Sequence, residues 1–463
     1  MKTKFCFTLF ISILFLNTLF SNDLKIQNLA FDENTSILTF DLGWENAWRL
    51  GNKFRDAAYV FAKYKEAGGQ WKHVRLSLIS APADMETSPH DDMGHLVFMR
   101  FDGQGSVKLA QYKFLAQVYD QNQNLINIGQ NFPFPDFKVF SVEMVYIPEG
   151  PFYWGGYASS PNHDFFHRGD DQHEGVLITS ESQQINYGSG SNEYRRENST
   201  TGPTILPQKV KGYDEFYCMK YEITQQQYAD FLNTLTVTQQ PGGYNIYPLV
   251  LNDTPQFRNG IIDLGITNEG RYEFGCDLNG NGIPGEADDG QNIACNMIQP
   301  HRVAAYLDWA GMQPIGDIML FKICRGPNKP VDDEFAWGSP FYNEVLESKL
   351  TDIGTGSERQ LDPQAYPFAE FPVRAGYAAT ASSNQFFAGA TYYGVMEMSG
   401  SLGETISYAS GEVLPGDGEL SVEGEGQFSA IFNQMCNPDS RLSDISRGTE
   451  CLVQSTGGRG IVR

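Results

Sequence analysis

The segment Gln299–Gly338 decides the fold prediction and reads QPHRVAAYLDWAGMQPIGDIMLFKICRGPNKPVDDEFAWG. Apolar residues recur at helical spacing along Val303–Ala310, after a proline in a position that the first turn of a helix tolerates. Gly311 suits the left-handed conformation that ends many helices. Because proline cannot lie deep inside a helix, a second helix is predicted to begin near Pro314 and to end at Arg325. The segment therefore predicts two successive helices followed by an ordered loop.

Composition narrows the class of protein further. The 463 residues are enough for two or three domains with cores of their own. Lys and Arg number 33 against 56 Asp and Glu, which gives a net charge of −23 and disfavours nucleic acid or an anionic membrane as a partner. The 47 glycines and the 13% aromatic content favour strands and ordered loops over a helical bundle.

The first 21 residues have the pattern of a secretory signal peptide. Lys2 and Lys4 precede the apolar run Phe5–Phe20, which is too short to span a membrane and remain as an anchor. We therefore expect an exported protein, secreted, extracellular or periplasmic, without a transmembrane anchor. Six cysteines remain after the signal, and an even number in an exported protein favours disulfide bonds.

Residues 24–141 alternate between apolar and polar side chains. Leu38, Phe40, Leu42 and Trp44 would lie on one face of a strand, and several further strands are bounded by Asn, Asp or Gly turns. The pattern predicts an all-β sandwich of immunoglobulin-like or fibronectin-like type. The proline-rich stretch at 132–135 closes this predicted domain.

The rest of the chain contains five motifs in a fixed order: EMVYIPEGPF (143–152), FYCMKYEIT (216–224), the segment quoted above with WAG, CRG and AWG, YYGVMEMSGSLGE (392–404) and GGRGIVR (457–463). With these motifs, residues 142–463 resemble the formylglycine-generating enzyme, or sulfatase-modifying factor, family. The resemblance implies an α+β fold of C-type-lectin-like type with little regular structure. The predicted fold class is thus α+β, preceded by the all-β sandwich.

The same resemblance implies oxidation of a substrate cysteine to formylglycine at a copper ion held by two cysteines close together in sequence. In this chain Cys436 and Cys451 are far apart in sequence and lie outside the family's usual context. We therefore predict no catalytic or cofactor-binding residues, and a non-catalytic protein that binds a protein or glycan ligand at the cell surface. The alternative is a copper-dependent formylglycine-generating oxidase that uses this unusual pair of cysteines.

One insertion, residues 276–295, has the spacing of a calcium-binding loop. In DLNGNGIPGEAD, oxygen-bearing side chains occupy positions 1, 3, 5 and 12, a glycine occupies position 6 and a backbone carbonyl is offered at position 7. The alternative is an acidic turn that binds no ion. The predicted calcium ligands are Asp277, Asn279, Asn281, Ile283 and Asp288.

A second polar cluster contains His163, His167 and His173 among several acidic residues. Imidazole and carboxylate groups this close together are able to bind zinc or another transition metal. The spacing fits no established metal motif, and a solvated loop is the alternative.

The six cysteines remaining after the signal peptide are predicted to form three disulfides. Cys276 with Cys295 and Cys436 with Cys451 would each close a short loop. The remaining pair is Cys218 with Cys324, and each of these two residues lies beside a motif of the family resemblance.

Overall fold

The computed structural model describes the greater part of the chain after the signal-like segment. The described residues are 24–66, 68–90, 93–120, 122, 124–132, 135–156, 166–196, 199–236, 240, 257–298, 300–361, 363–379, 385–407, 435–436 and 456–462. Among them, no helix is long and apolar enough to cross a membrane.

The first part of the chain is built from long antiparallel strands. These are β1 (Lys25–Asp32), β2 (Ile37–Leu50), β3 (Phe54–Lys65), β4 (Trp71–Ser80), β5 (Met85–His90), β6 (Gly94–Met99), β7 (Gly103–Tyr119), β8 (Leu125–Asn127) and β9 (Asp136–Ile147), with the short helix α1 (Ile128–Asn131) before β9. In β2, Leu38, Phe40 and Leu42 are fully buried while the residues between them are half-buried. The two-residue alternation of the sequence thus places one face of this strand in the core.

Shorter elements make up the next part of the chain. The strands are β10 (Phe152–Trp154), β11 (Phe166–Arg168), β12 (Val176–Ile178), β13 (Asn186–Tyr187), β14 (Glu193–Arg196), β15 (Phe216–Met219), β16 (Ile261–Ile266), β17 (Tyr272–Cys276) and β18 (Gln313–Gly316), and the helices are α2 (Gln225–Leu232), α3 (Pro300–Ala310) and α4 (Asp317–Arg325). Helix α2 begins with a capping box, in which the side chains of Thr224 and Gln227 each accept a hydrogen bond from the other residue's backbone N–H.

The last part contains very short strands. They are β19 (Asn343–Val345), β20 (Leu350–Thr351), β21 (Arg359–Gln360), β22 (Pro367–Ala369), β23 (Gly403–Glu404), β24 (Ile406–Ser407), β25 (Met435–Cys436), β26 (Thr456–Gly457) and β27 (Gly460–Val462), together with the 3₁₀ helix η1 (Glu347–Lys349) and the helix α5 (Gln385–Ala388). Most of the remaining described chain runs in turns and ordered loops.

Fourteen of these strands belong to one sheet. Its main order is β1-β2-β7-β4-β3-β9-β15-β27-β18-β24-β25, with β5, β6 and β8 paired at its sides. Strand β9 pairs antiparallel with β3 along Asp136–Val145 and with β15 along Met144–Ile147. This single strand therefore joins the early strands to the later ones, and it runs across the predicted domain boundary at 141/142. The division of the chain into two domains stays a prediction.

An aromatic cluster fills the space between the sheet and the helices. The Trp309 ring of α3 contacts Phe61 of β3, Phe140 of β9 and Phe231 of α2, with ring centroids 5.1, 4.8 and 5.6 Å away. These four side chains come from distant parts of the sequence. The hydrophobic core is therefore shared between the early strands and the later helices.

The predicted fold class, an α+β C-type-lectin-like domain preceded by an all-β sandwich, is wrong. Strands account for 43% of the structure and helices for 11%, and the large antiparallel sheet places the protein in the all-β class. The physical reason lies in backbone pairing. Pro314, expected to lead into a helix, lies instead in β18, where it pairs with Gly460 of β27, and α4 begins three residues later.

Candidate functional site

The predicted calcium loop begins at the end of β17, which pairs with β16 in a separate two-stranded sheet, and turns back on itself. The buried Asp277 carboxylate accepts hydrogen bonds from the backbone N–H groups of Asn281 (3.2 Å) and Gly282 (3.0 Å). Asn279 Oδ1 accepts from Asn281 N–H (2.9 Å), and Asn281 Oδ1 accepts from Ile283 N–H (2.7 Å). Gly282 has a φ of +81°, which permits the tight bend. Oxygen-bearing side chains at alternate positions thus fold inward along one turn.

The remaining predicted ligands lie in the same loop. Asn279 Nδ2 donates to Asp288 Oδ1 over 3.0 Å, which closes the loop across its width. The predicted ligand at Ile283 is its backbone carbonyl. The exposed side chain of Ile283 is not needed for calcium binding.

Two acidic residues of this loop were missed by the sequence prediction. Carboxylate oxygens of Glu286, Asp288 and Asp289 all lie within 4.8 Å of one another, and of these only Asp288 was predicted. Glu286 and Asp289 occupy positions 10 and 13 of the loop, and the twelve-residue calcium-loop pattern has no ligand at either position. The run of acidic residues EADD was the available signal.

Asp289 is the most constrained of these groups. Its side chain is fully buried, its Oδ2 accepts from Glu286 N–H (2.6 Å), and its Oδ1 has no hydrogen-bond partner among the described residues. Burial raises the pKa of Asp289, and the negative charges of Asp277, Asp288 and Glu286 raise it further. A buried carboxylate oxygen without a partner is costly, and a bound cation would offset that cost.

The histidine cluster does not form a metal centre in the described residues. His163 and its neighbour Asp164 lie outside the described residues. His167 Nδ1 lies 2.8 Å from the carbonyl oxygen of Arg168, whereas His173 lies at the surface with its Nδ1 3.3 Å from Asp332 Oδ1. The two described imidazoles therefore have separate partners.

Four of the cysteines are described with their side chains, and all four are buried free thiols. The predicted bridges Cys276–Cys295 and Cys218–Cys324 are therefore absent from the structure. Burial raises the pKa of all four thiols, and a charge on Cys276 or Cys218 raises the pKa of its predicted partner further. The members of each predicted pair are thus electrostatic neighbours. The third pair has Cys451 outside the described residues, and only the backbone of Cys436 is described.

This arrangement predicts the reactivity of the cysteines. Iodoacetamide should leave all four described cysteines unmodified in the native protein, because burial hides the thiols and disfavours the reactive thiolate. Denaturation without a reductant should then allow all four to be labelled, which peptide mass spectrometry measures. If Cys276 and Cys295 require a reductant before they react, the free-thiol state is wrong and the bridge predicted from sequence is present.

The motif segments converge on one buried arginine. Arg459 is fully buried and donates hydrogen bonds to the carbonyl oxygens of Met219 and Met396 (3.0 Å each) and to Glu404 Oε1 (3.3 Å). Glu222 accepts from Leu402 N–H over 2.9 Å. Three of the five motifs therefore meet in one polar network inside the core.

The carboxyl groups of this network have strongly shifted pKa values. Burial raises the pKa of Glu222 to about 7 and those of Glu397 and Glu404 to about 8, while the charge of Arg459 acts in the opposite direction. These acids therefore hold a substantial share of their protons near neutral pH.

A cavity of about 230 Å³ lies beside this network, where β9 passes the start of α2. Its walls carry charged, amide and hydroxyl side chains along with apolar ones, including Glu143, Tyr221, Glu222, Asn292 and Arg374. The sequence prediction named none of these residues as a site, because they come from four separate segments of the chain.

Comparisons with known proteins give little guidance. The chain matches no family model and no curated protein. Among solved structures it is similar to the group B streptococcus pilus 2b backbone protein, at 9% identity over 42% of this chain and 83% of that chain, with a TM-score of 0.11. A similarity this low carries no argument about function, which must rest on the residues themselves.

Proposed function

We propose that the protein is an exported, non-catalytic binding or assembly protein that presents a calcium-stabilised loop at its surface to a protein or glycan partner. The observation that carries this proposal is the buried, unpartnered Oδ1 of Asp289 beside Glu286 and Asp288. Asp289 is buried, Glu286 is half-buried and Asp288 is exposed, so a cation bound here would pair with the buried carboxylate and remain accessible from solvent.

The chemistry of the loop favours calcium among cations. All candidate ligands are oxygens, which Ca²⁺ prefers, and no sulfur or imidazole group belongs to the described cluster. The residues that would hold the ion are the predicted Asp277, Asn279, Asn281, Ile283 (through its carbonyl) and Asp288, joined by Glu286 and Asp289. Calcium-binding modules of extracellular proteins typically have dissociation constants of about 10⁻⁴ to 10⁻³ M. An exported protein would encounter calcium in that range.

The five ordered motifs support a proposed relation to the sulfatase-modifying factor family in sequence, while the all-β fold differs from the one that the resemblance implies and no family model matches the chain. The alternative function, a copper-dependent formylglycine-generating oxidase, depends on Cys436 and Cys451, whose side chains are not among those described. The four described thiols are poorly suited to that chemistry, because burial opposes the thiolate form that copper requires. We therefore favour the binding function.

Calcium is expected to raise the melting temperature of the protein. An ion that binds only the folded state stabilises it by about 1.4 kcal/mol at a free concentration ten times the dissociation constant. The shift should be about 1–2 °C in the wild type, given the entropy of unfolding of a chain of this length, and should disappear in Asp289→Asn, which removes one charge from the cluster. Differential scanning calorimetry with calcium and with chelator measures both.

Asp263→Asn is the matched control for this experiment. Asp263 lies exposed on β16 and accepts a hydrogen bond from Gly265 N–H that asparagine can also accept. This variant should keep the full calcium shift. A wild type that melts at the same temperature with calcium and with chelator, or an equal shift in Asp289→Asn, would contradict the proposed site.

A further inference from the structure

The cavity beside the buried network contains polar groups whose bonding capacity is not used by the protein. Tyr221 and Glu222 both line it, and Tyr221 Oη and Glu222 Oε2 are buried atoms with no partner at hydrogen-bond distance among the described residues, although the Ser401 hydroxyl is near enough to Glu222 to lower its pKa. The other oxygen of Glu222 is engaged by Leu402 N–H. Buried polar atoms in native structures normally have a partner, so these two atoms indicate a site for a ligand or for water.

The charged side chains that line the cavity are Glu143, Glu222 and Arg374. Asp56, Glu397, Glu404, Lys220 and Arg459 are buried nearby, and because burial raises the pKa values of Glu397 and Glu404 to about 8, these two acids are mostly neutral at pH 7. The ammonium group of Lys220 forms ion pairs with both Asp56 and Glu143, at N–O distances of 3.2 and 3.0 Å. Arg374 donates to the backbone carbonyls of Glu358, Ala375 and Gly376. The lining cation thus directs its donors to the backbone, whereas Glu222 offers a carboxylate oxygen to the cavity once it is ionised, and this favours a cationic ligand over an anionic one.

The start of α2 also borders the cavity, but its backbone N–H groups are already used. Gln225 N–H donates to the carbonyl of Ile293, Gln226 N–H to that of Gln291, and Gln227 N–H to Thr224 Oγ1. None of these three N–H groups is therefore left to bind an anion.

We infer that the cavity binds a primary ammonium group of a ligand, with Glu222 as the carboxylate that pairs with it and Tyr221 as a neighbouring hydroxyl. The inference rests on the proposed binding function and specifies the chemistry of the partner. The cavity volume of about 230 Å³ is below the usual range for drug-sized ligands, which begins at about 300 Å³. It therefore suits a single group, such as a lysine side chain or one amino sugar.

Binding of an ammonium group should depend on pH. Burial raises the pKa of Glu222 to about 7, and the charged groups that surround it are Arg459, Glu404 and Glu397. A cation binds the ionised carboxylate, so the proton must leave first. For a single carboxyl group with this pKa, affinity should rise about tenfold between pH 6 and pH 8.

The experiment is a calorimetric titration with two amines and their neutral counterparts. The probes are Nα-acetyl-lysine amide and glucosamine, and the counterparts are the Nε-acetylated lysine derivative and N-acetylglucosamine. At least one amine should bind, the lysine probe at pH 8 or glucosamine at pH 7, where its less basic amino group is still largely protonated, and the neutral counterpart should bind at least tenfold more weakly. Binding of the lysine probe alone would assign a protein partner, and binding of glucosamine alone would assign an amino sugar. A wild type that binds neither amine, or binds the neutral forms equally, would overturn the inference.

Three variants separate the cavity from general effects on folding. Glu222→Gln keeps an acceptor for Leu402 N–H and should weaken amine binding by roughly tenfold or more, since a hydrogen bond to a charged group is lost. Glu397→Gln removes a nearby buried acid that does not line the cavity, and should change affinity by less than about threefold. Ala375→Leu fills the cavity without a change of charge and should block binding.

The calcium-dependent melting shift is measured on each sample. Unchanged amine binding in both Glu222→Gln and Ala375→Leu would contradict the assignment to this cavity. If amine binding is absent while the calcium shift is present, the cavity inference fails and the proposed calcium site stands. If both are absent, both proposals fail.

Discussion

Replacing Arg459 by methionine is expected to lower the free energy of unfolding by about 3–5 kcal/mol, the usual cost of removing one partner of a buried ion pair. The arginine is fully buried, and its guanidinium group donates to the backbone carbonyls of Met219, Met396 and Glu397 and to the carboxylate of Glu404. Methionine occupies a similar volume without any donor. The substitution therefore leaves Glu404 in the core without its cation. Urea unfolding followed by circular dichroism measures the loss.

The loss in Arg459→Met should be larger at pH 8 than at pH 5.5. Burial raises the pKa values of Glu222 and Glu404, Arg459 lowers them, and its removal raises them further. A carboxyl group with a raised pKa binds more protons in the folded state than in the unfolded state. Stability then falls as pH rises from the unfolded pKa, near 4.5, through the folded pKa. At pH 5.5 Glu222 and Glu404 are largely protonated in the folded state, so the loss of the arginine's charge destabilises the fold less than it does at pH 8.

Arg359→Met is the matched control. Arg359 is exposed, and its guanidinium group makes a long surface ion pair with the exposed carboxylate of Asp352, 3.9 Å away. A surface pair of this kind contributes about 0–1 kcal/mol. If the two variants lose similar amounts of stability, or if the loss in Arg459→Met does not depend on pH, the network does not stabilise the fold as described.

Lys220→Met is expected to have a comparable effect, with a loss of about 3–5 kcal/mol in the free energy of unfolding. Lys220 follows β15, and its ammonium group bonds Asp56 of β3 and Glu143 of β9. Burial opposes its charge, but Glu143, Tyr221 and Asp56 outweigh burial and hold the pKa of Lys220 well above its usual value. Removing the cation would leave two buried carboxylates facing each other across the pairing of β3 with β9.

Two comparisons test this interpretation of Lys220. Lys329→Met removes an exposed lysine that pairs with Glu174 over 2.6 Å, and should cost at most about 1 kcal/mol. Adding Glu143→Gln to Lys220→Met should recover part of the loss, because one of the two buried carboxylates that have lost the charge of Lys220 becomes neutral. A double variant that is as unstable as the sum of both single variants would show that these residues do not act as one unit.

Local features of the fold were readable from the sequence. Periodicity located α3, and Gly311, which follows α3, has a φ of +69° as its predicted role requires. The alternation in β2 located a strand with one buried face. These signals depend on residues within a few positions of one another.

Pairing between distant segments was not readable in the same way. Nothing local distinguishes β9 as the strand that continues the sheet into the second part of the chain, and the pairing of β18 with β27 joins residues far apart in sequence. The motif resemblance led to an α+β class because it identifies segments but not their hydrogen-bond partners. The helical and strand content of the structure decides against that class.

The candidate sites show the same difference. The calcium loop is contiguous, so its spacing was visible, and Glu286 and Asp289 were missed only because the template has no ligands at their positions. The cavity could not have been found in this way, because Glu143, Glu222 and Arg374 meet only after the chain has folded.

Calorimetric titration of the chelator-treated protein with calcium tests the calcium-stabilised loop most directly. We expect one saturable site with a dissociation constant of about 10⁻⁴ to 10⁻³ M in the wild type, and much weaker binding in Asp289→Asn. No saturable binding by the folded wild type, or equal binding by Asp289→Asn, would contradict the calcium-stabilised loop on which the proposed function rests.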